Sequence, residues 1–278
     1  MSIPTYSLND GLAIPAIGFG TAKLHGFAAT DAILSALDVG YRLIDTAMNY
    51  DNEGAVGKAV RLSGVPREQI LVTTKLPGRF HEHDLAVAAV EESITRMGLD
   101  HVDIVLIHWP NPSRDRYVEA WQSLIECRER GLVRTIGVSN FLPQHLTRLV
   151  TETGVTPALN QIERHPFHQQ SAQLAFDAEL GIRDEAWSPL AREHWATTSP
   201  VVSDIAALHG KTPTQIVLAW HVASGVVAIP KSATPTRQAE NLDIFDITLS
   251  TDEMAAITSL DGSGQRIVAE DSTTHEEM

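Results

Sequence analysis

A carboxylate, a phenol, an ammonium and an imidazole recur at matching places along this chain, and together they could move a proton. Asp45 and Tyr50 lie in the segment Asp45-Thr46-Ala47-Met48-Asn49-Tyr50-Asp51-Asn52-Glu53, directly after the apolar run Tyr41-Arg42-Leu43-Ile44. A free phenol has a pKa of about 10, so it is a poor proton donor or acceptor at neutral pH. To act as an acid it needs a nearby cation and a rigid setting. Lys75 supplies such a cation and His108 a second polar group, and each closes a later apolar run. Taken singly, each residue has a plainer use. Asp45 could cap the next helix, Lys75 could be solvated, His108 before Trp109-Pro110 could be a satisfied buried histidine, and Tyr50 could simply pack. Four such groups on three successive strand ends argue for one shared site.

The elements that must position them alternate regularly. Apolar runs predict strands at Ile17-Thr21, Tyr41-Asp45, Ile70-Lys75, Val102-His108, Val133-Ser139, Ala158-Gln161, Ile182-Trp187 and Val226-Pro230. Amphipathic stretches such as Ala28-Asp38, Asp84-Met97, Tyr117-Arg130 and Thr214-Ala223 predict helices between them. Strands alternating with helices imply a parallel sheet, and eight strands close a (β/α)8 TIM barrel, here over residues 1–278 as one domain. Thr5 to Ile14 predicts an N-terminal β-hairpin turning at Asn9-Asp10-Gly11. Gly40, Gly98, Gly131, Gly154, Gly181 and Gly225 punctuate the joints as helix C-caps do. Arg183-Asp184-Glu185 puts three charges where a buried strand should be apolar, which leaves that strand's register open. The stretch from Ala269 to Met278 is polar and is expected to be loose.

In such a barrel the C-terminal strand ends face one mouth, where active sites are built. Asp45, Lys75, His108, Ser139-Asn140, Gln161, Trp187-Ser188 and Lys231-Ser232 all fall at or just past those ends. A Rossmann fold would need G-x-G-x-x-G after the first strand. Gly18-Phe19-Gly20 is followed by Thr21-Ala22-Lys23, so the third glycine is missing.

Bulk composition narrows the partners. The 278 residues are 43% hydrophobic and 20% charged, ordinary for a globular enzyme, with a formal charge of −14. That charge argues against nucleic acid and against an anionic membrane surface, while a local basic pocket can still take a small anion. The single cysteine, Cys127, excludes an intrachain disulfide and lies in a helical pattern without an activating base, so a structural thiol is expected. Met1-Ser2-Ile3-Pro4-Thr5 shows no secretion signal, and no apolar run approaches the roughly 20 residues of a membrane span. A cytoplasmic monomer is expected, with no metal.

The motifs resemble the aldo-keto reductase family along nearly the whole chain. They comprise Gly18-Phe19-Gly20-Thr21, the D-T-A-x-x-Y-x-N-E segment, Thr73-Thr74-Lys75 and Leu106-Ile107-His108-Trp109-Pro110. They continue with Gly137-Val138-Ser139-Asn140-Phe141, Asn160-Gln161-Ile162-Glu163, Trp187-Ser188-Pro189-Leu190, Ile229-Pro230-Lys231-Ser232 and Glu240-Asn241. The resemblance, strongest to bacterial reductases of diketo sugar acids, implies NADPH-dependent reduction of aldehydes and ketones, including α-dicarbonyls and keto-sugar acids. It implies a catalytic set in which Tyr50 is the general acid, Lys75 lowers its pKa, Asp45 holds Lys75 charged, and His108 orients the carbonyl with Trp109 beside it.

By the same resemblance, NADPH would contact Gly20, Thr21 and Asp45, with Ser139, Asn140 and Gln161 on its carboxamide and Trp187 stacked on its nicotinamide. Ser188 and Leu190 would lie along the pyrophosphate, Lys231, Ser232 and Arg237 would hold the 2′-phosphate, and Glu240 and Asn241 would lie near the adenine. A basic pair with a hydroxyl suits a phosphate dianion, which favours NADPH over NADH. Ala22 stands where many members carry a pocket-walling tryptophan, so a more open pocket is expected. Phe27, His81, Trp195 and Gly262 to Arg266 are further candidate lining residues.

Three rivals remain on sequence alone. A Schiff-base aldolase using Lys75 leaves Tyr50 and the Lys231/Arg237 set unexplained. A non-catalytic NADPH-binding sensor or scaffold would not need the intact set of four. A phosphate-handling sugar isomerase would need glycine-rich phosphate loops after the last two strands.

Overall fold

Period-two alternation along eight short strands decides which side chains meet at the centre of this protein. The computed structural model describes residues 3–191, 198–263, 266–267 and 271–278. A hairpin of β1 (Thr5–Ser7) and β2 (Ala13–Pro15) comes first. The barrel strands follow: β3 (Phe19–Gly20), β4 (Leu43–Asp45), β5 (Leu71–Leu76), β6 (Val102–Ile107), β7 (Val133–Ser139), β8 (Leu159–Glu163), β9 (Arg183–Trp187) and β10 (Val227–Ile229). All neighbouring barrel strands pair in parallel, in chain order from β3 to β10. The ring closes between its first and last strands through a parallel bridge of Ile17 to Ala228. Gly18 N–H donates to Ala228 O at 2.8 Å and Gly20 N–H to Pro230 O at 3.0 Å.

The helices form the outer layer. They are α1 (Gly26–Val39), α2 (Glu53–Leu62), α3 (His83–Met97), α4 (Tyr117–Glu129), α5 (Pro143–Thr153), α6 (Ser171–Glu179), α7 (Pro200–His209), α8 (Pro213–Ala223), α9 (Pro235–Leu242) and α10 (Thr251–Thr258). The outward strand residues Ile44, Val72, Val105, Ile107, Ile136 and Val138 pack with helix residues such as Ile33, Leu37, Val56, Val90, Trp121 and Leu124. Burying each such side chain stabilises the fold by about 1.5–3 kcal/mol before entropy is counted. Cys127 belongs to this layer. Burial pushes its thiol up to about 11, which fits the expected structural role.

The inward residues Leu43, Leu71, Ile104, Leu106, Leu159, Val227 and Ile229 form a second core, which Leu8 and Ile14 of the hairpin segment join. The hairpin therefore plugs one end of the barrel, and the polar strand ends occupy the other. Its strands end one residue further from the turn than expected, with Leu8 N–H bonding Leu12 O across the loop Leu8–Leu12. The first barrel strand is also shorter than the run Ile17-Thr21 suggests. A Cβ on Gly18 would lie 2.7 Å from Ile229 Cδ1 and 2.8 Å from Leu43 Cδ2, so close approach replaces side-chain packing there.

The charged strand β9 pairs in register, with Asp184 opposite Asn160 and Glu185 opposite Gln161. Burial, followed by the neighbouring Asp177, pushes the Asp184 carboxyl up to about 8. Burial, followed by Asp45, pushes Glu185 up to about 8 as well. Carboxyls that keep their protons at neutral pH can occupy a buried strand, which resolves the open register. No helix among the described residues is long and apolar enough to cross a membrane.

Candidate active site

Asp45, Lys75 and His108 share inward parity with Leu43, Leu71 and Leu106, two or four residues earlier on their strands. The inward file of β4 and β5 thus ends in an acid and an amine. Lys75 is wholly buried, and its Nζ donates to Asp45 Oδ1 at 2.7 Å, Asp45 Oδ2 at 2.8 Å and Thr46 O at 2.9 Å. Burial works against the ammonium, but Asp45 and then Tyr50 outweigh it and hold the amine above its ordinary value. Lys75 is therefore a fixed cation at neutral pH. That charge state removes the nucleophilic free amine that a Schiff-base enzyme requires.

Tyr50 sits on a single 3₁₀ turn, Met48–Tyr50, between β4 and α2. The turn is pinned from behind. Asn52 donates to Thr21 O and Leu24 O, both at 2.9 Å, and accepts from Thr46 Oγ1 at 2.5 Å. Glu53, the first residue of α2, accepts from Thr74 Oγ1 at 2.6 Å and from Arg96 Nε at 2.8 Å. Asn52 and Glu53 thus start the helix and also fix Tyr50 to the neighbouring strands.

Lys75 Nζ lies 5.1 Å from the centre of the Tyr50 ring, and the His108 ring meets that ring edge-on at 6.0 Å. Burial raises the Tyr50 pKa and Lys75 lowers it, with the net direction upward. Lys75 acts on the phenol in the expected direction, and desolvation is the larger effect in this structure.

These residues open onto a cavity of about 580 Å³ lined by Asp45, Tyr50, His108, Trp109 and His275 and also by Lys23 and Lys231. Gly20, Ser139, Asn140, Gln161, Trp187, Ser188 and Leu190, all expected near the cofactor, line it as well. Ala22 also lines it, in keeping with an open pocket. The Trp187 indole is held by its Nε1–H donating to Asn140 Oδ1 at 2.9 Å. Asn140 in turn donates to His108 O at 3.1 Å and Ser139 Oγ at 3.0 Å. Gln161 Nε2 bridges Asp45 Oδ2 at 2.8 Å and Glu185 Oε2 at 2.7 Å. A flat indole, amides and two ammonium groups in a cleft of an otherwise acidic protein fit a ligand that carries a nicotinamide ring and phosphates.

Other expected contacts fall elsewhere. Thr21 is buried, and its hydroxyl donates to Asp45 O at 2.9 Å, so it braces the strand ends from outside the cavity wall. Ser232, Arg237, Glu240 and Asn241 lie beyond Lys231, on the approach to α9 and within it, and are not among the cavity-lining residues. Glu240 accepts from Thr212 at 2.6 Å, and Asn241 is buried beside Tyr41. Phe27 is exposed with Lys58 over its ring, and His81 is buried, its imidazole pushed down to about 4 by burial, so neither lines the cavity. Trp195, Gly264 and Gln265 lie outside the described residues.

The terminal stretch, described over 271–278, is not loose. His275 packs on Trp109 with ring centres 4.4 Å apart, Ser113 N–H donates to Glu276 at 2.7 Å, and Glu277 Oε1 lies 2.9 Å from His108 Nδ1. Sequence reasoning missed this tail, Lys23 and Glu185. Only Glu185 carried a readable signal, as part of the charged run Arg183-Asp184-Glu185 in an expected strand.

A half-buried phenol and an imidazole backed by a buried ammonium–carboxylate pair, in a cleft that an indole and two lysines also line, fit hydride delivery to a carbonyl. They place the chain among the nicotinamide-dependent carbonyl oxidoreductases built on barrels. Residues 16–262 match the Aldo/keto reductase family, and the chain belongs to that family as an NADP-dependent aldo-keto reductase. It is 50% identical over 277 residues to 2,5-diketo-D-gluconic acid reductase B of Corynebacterium sp. (strain SHS752001), covering 100% of this chain and 99% of that protein. It is 46% identical over 269 residues to methylglyoxal reductase DkgA of Escherichia coli (strain K12), covering 96% and 97% of the two chains. Among solved structures, a Gox0644 mutant in complex with NADPH superposes with a TM-score of 0.94 at 38% identity, covering 99% of this chain and 100% of that one.

Proposed function

We propose that this chain, a single barrel domain acting as a cytoplasmic monomer, reduces small aldehydes and ketones with NADPH, α-dicarbonyls and keto-sugar acids foremost. The observation that carries the reading is the placement of Tyr50 and His108 at one cavity wall, with the buried Lys75–Asp45 pair behind them. NADPH, when bound, supplies the hydride that the carbonyl carbon takes up. Tyr50 gives its phenolic proton to the carbonyl oxygen, so the product is the alcohol. Lys75 stabilises the phenolate left behind, and Asp45 keeps Lys75 charged and fixed in place. His108 orients the carbonyl oxygen towards Tyr50.

The cofactor contacts follow the cavity. Trp187 would stack on the nicotinamide, and Ser139, Asn140 and Gln161 would hold its carboxamide. Gly20 and Asp45 would lie under the ring, and Ser188 and Leu190 along the pyrophosphate. Lys231, with Ser232 and Arg237, would hold the 2′-phosphate, and Glu240 and Asn241 would flank the adenine. The substrate class is supported by the names of two relatives, one a reductase of 2,5-diketo-D-gluconic acid and the other of methylglyoxal.

Loss of NADPH absorbance on a panel of methylglyoxal, other α-dicarbonyls, simple aldehydes and keto-sugar acids tests the proposal, with NADH as control. Turnover with NADPH on α-dicarbonyls is expected. Tight NADPH binding with no turnover on any member would instead establish a non-catalytic binding protein.

A further inference from the structure

The tail from Asp271 to Met278 carries a carboxylate directly behind the imidazole of the proposed site. Glu277 Oε1 lies 2.9 Å from His108 Nδ1, in a direction poor for a hydrogen bond, and accepts a directed one from Asn49 Nδ2 at 2.8 Å. His108 lines the cavity and Glu277 does not, so the carboxylate acts on the face of the ring turned away from substrate.

The seat is built for this chain end. Asn111 Nδ2 donates to Glu277 O at 2.5 Å, Asn49 Nδ2 reaches Met278 O at 3.3 Å, and Arg79 donates to Asn49 Oδ1. A Cβ on Gly78 would lie 2.4 Å from Glu277 O and 2.1 Å from Asn111 Nδ2, so only glycine leaves room for the tail there. Burial pushes the Glu277 carboxyl up, but His108 and Asn49 outweigh it and hold the group below the usual carboxylate range. Glu277 is thus a fixed negative charge at neutral pH.

We propose that Glu277 is a positioning residue for His108, delivered by the tail and braced by Asn49, that keeps Nδ1 turned to the carboxylate and Nε2 turned to the substrate carbonyl. With the Glu277 carboxylate 2.9 Å from Nδ1, Nε2 is the ring nitrogen that faces the substrate. Asn49 immediately precedes Tyr50, so one turn sets the acid and braces the partner of the orienting histidine. This rests on the carbonyl-reduction reading above.

The test is a double-mutant cycle on the full chain with methylglyoxal and NADPH: wild type, Glu277→Gln, His108→Gln and the pair. Misplacing an orienting group by about 1 Å can cost up to about 100-fold, so Glu277→Gln is expected to lower kcat by about 10- to 100-fold. NADPH affinity, read by quenching of protein fluorescence, is expected to change less than about twofold. On the His108→Gln background the same change is expected to cost less than about twofold, because its target is gone. Glu277→Ala is expected to regain activity with added acetate, which wild type does not. An equal cost on both backgrounds, or near-normal kcat for Glu277→Gln, overturns the proposal. A wild-type protein that turns over no carbonyl overturns the reduction reading itself, and the proposal with it.

Discussion

Replacing Lys75 by Met separates what the buried ion pair does for chemistry from what it does for the fold. The ammonium stands 5.1 Å from the centre of the Tyr50 ring. At an effective dielectric constant of about 20, a unit charge at that distance favours a phenolate by about 3 kcal/mol, equivalent to about two pKa units. Burial already raises the Tyr50 pKa against that pull, so losing Lys75 leaves a weaker acid still. The expected loss in kcat is about 10²- to 10³-fold, with NADPH affinity kept.

The same change strips Asp45 of two short contacts, at 2.7 and 2.8 Å, and leaves a buried carboxylate held by Gln161 beside the protonated Glu185. Removing one partner of a buried pair destabilises by about 3–5 kcal/mol. The double change Lys75→Met with Asp45→Leu removes the stranded charge. It should restore much of the thermal stability and none of the activity. Steady-state kinetics and thermal melts on the three proteins check both halves. A Lys75→Met enzyme within tenfold of wild type, or a double variant that regains turnover, refutes the reasoning.

Two other changes probe the cofactor end and the buried strand. Lys231→Ala should weaken NADPH binding by about tenfold, as expected for one charge-assisted contact, and leave NADH binding unchanged in a fluorescence titration. Asp184, pushed up to about 8 by burial and then by Asp177, keeps its proton in the folded state to higher pH than in the unfolded chain. Its contribution to stability is therefore full below the ordinary carboxylate range and is lost as pH rises towards 8. Glu185 adds to the same slope. Asp184→Asn should flatten the fall of Tm between about pH 4 and 8. An unchanged slope refutes the assignment.

Strand identity and the proposed tetrad were legible because both depend on local pattern. Val133–Ser139 was readable to the residue, since an apolar run bounded by Gly131 and Asn140 leaves little choice. Asp45, Lys75 and His108 were readable because inward parity and strand ends are both written in alternation. What was not legible depends on distant contacts. The first barrel strand shrinks because Gly18 must admit Ile229, more than two hundred residues away in sequence. The charged run of β9 is tolerated because burial keeps Asp184 and Glu185 protonated. The tail has no periodicity at all. Its order comes from Asn49, Asn111 and Gly78, none of which signals a partner by its own neighbours.

The account rests most heavily on Tyr50 as the acid, and Tyr50→Phe tests it with the loss of one oxygen. Methylglyoxal reduction by that variant is expected to fall by at least about 10³-fold, while NADPH still quenches protein fluorescence with an affinity within about twofold of wild type. Turnover within tenfold of wild type, with the cofactor equally well bound, would contradict it.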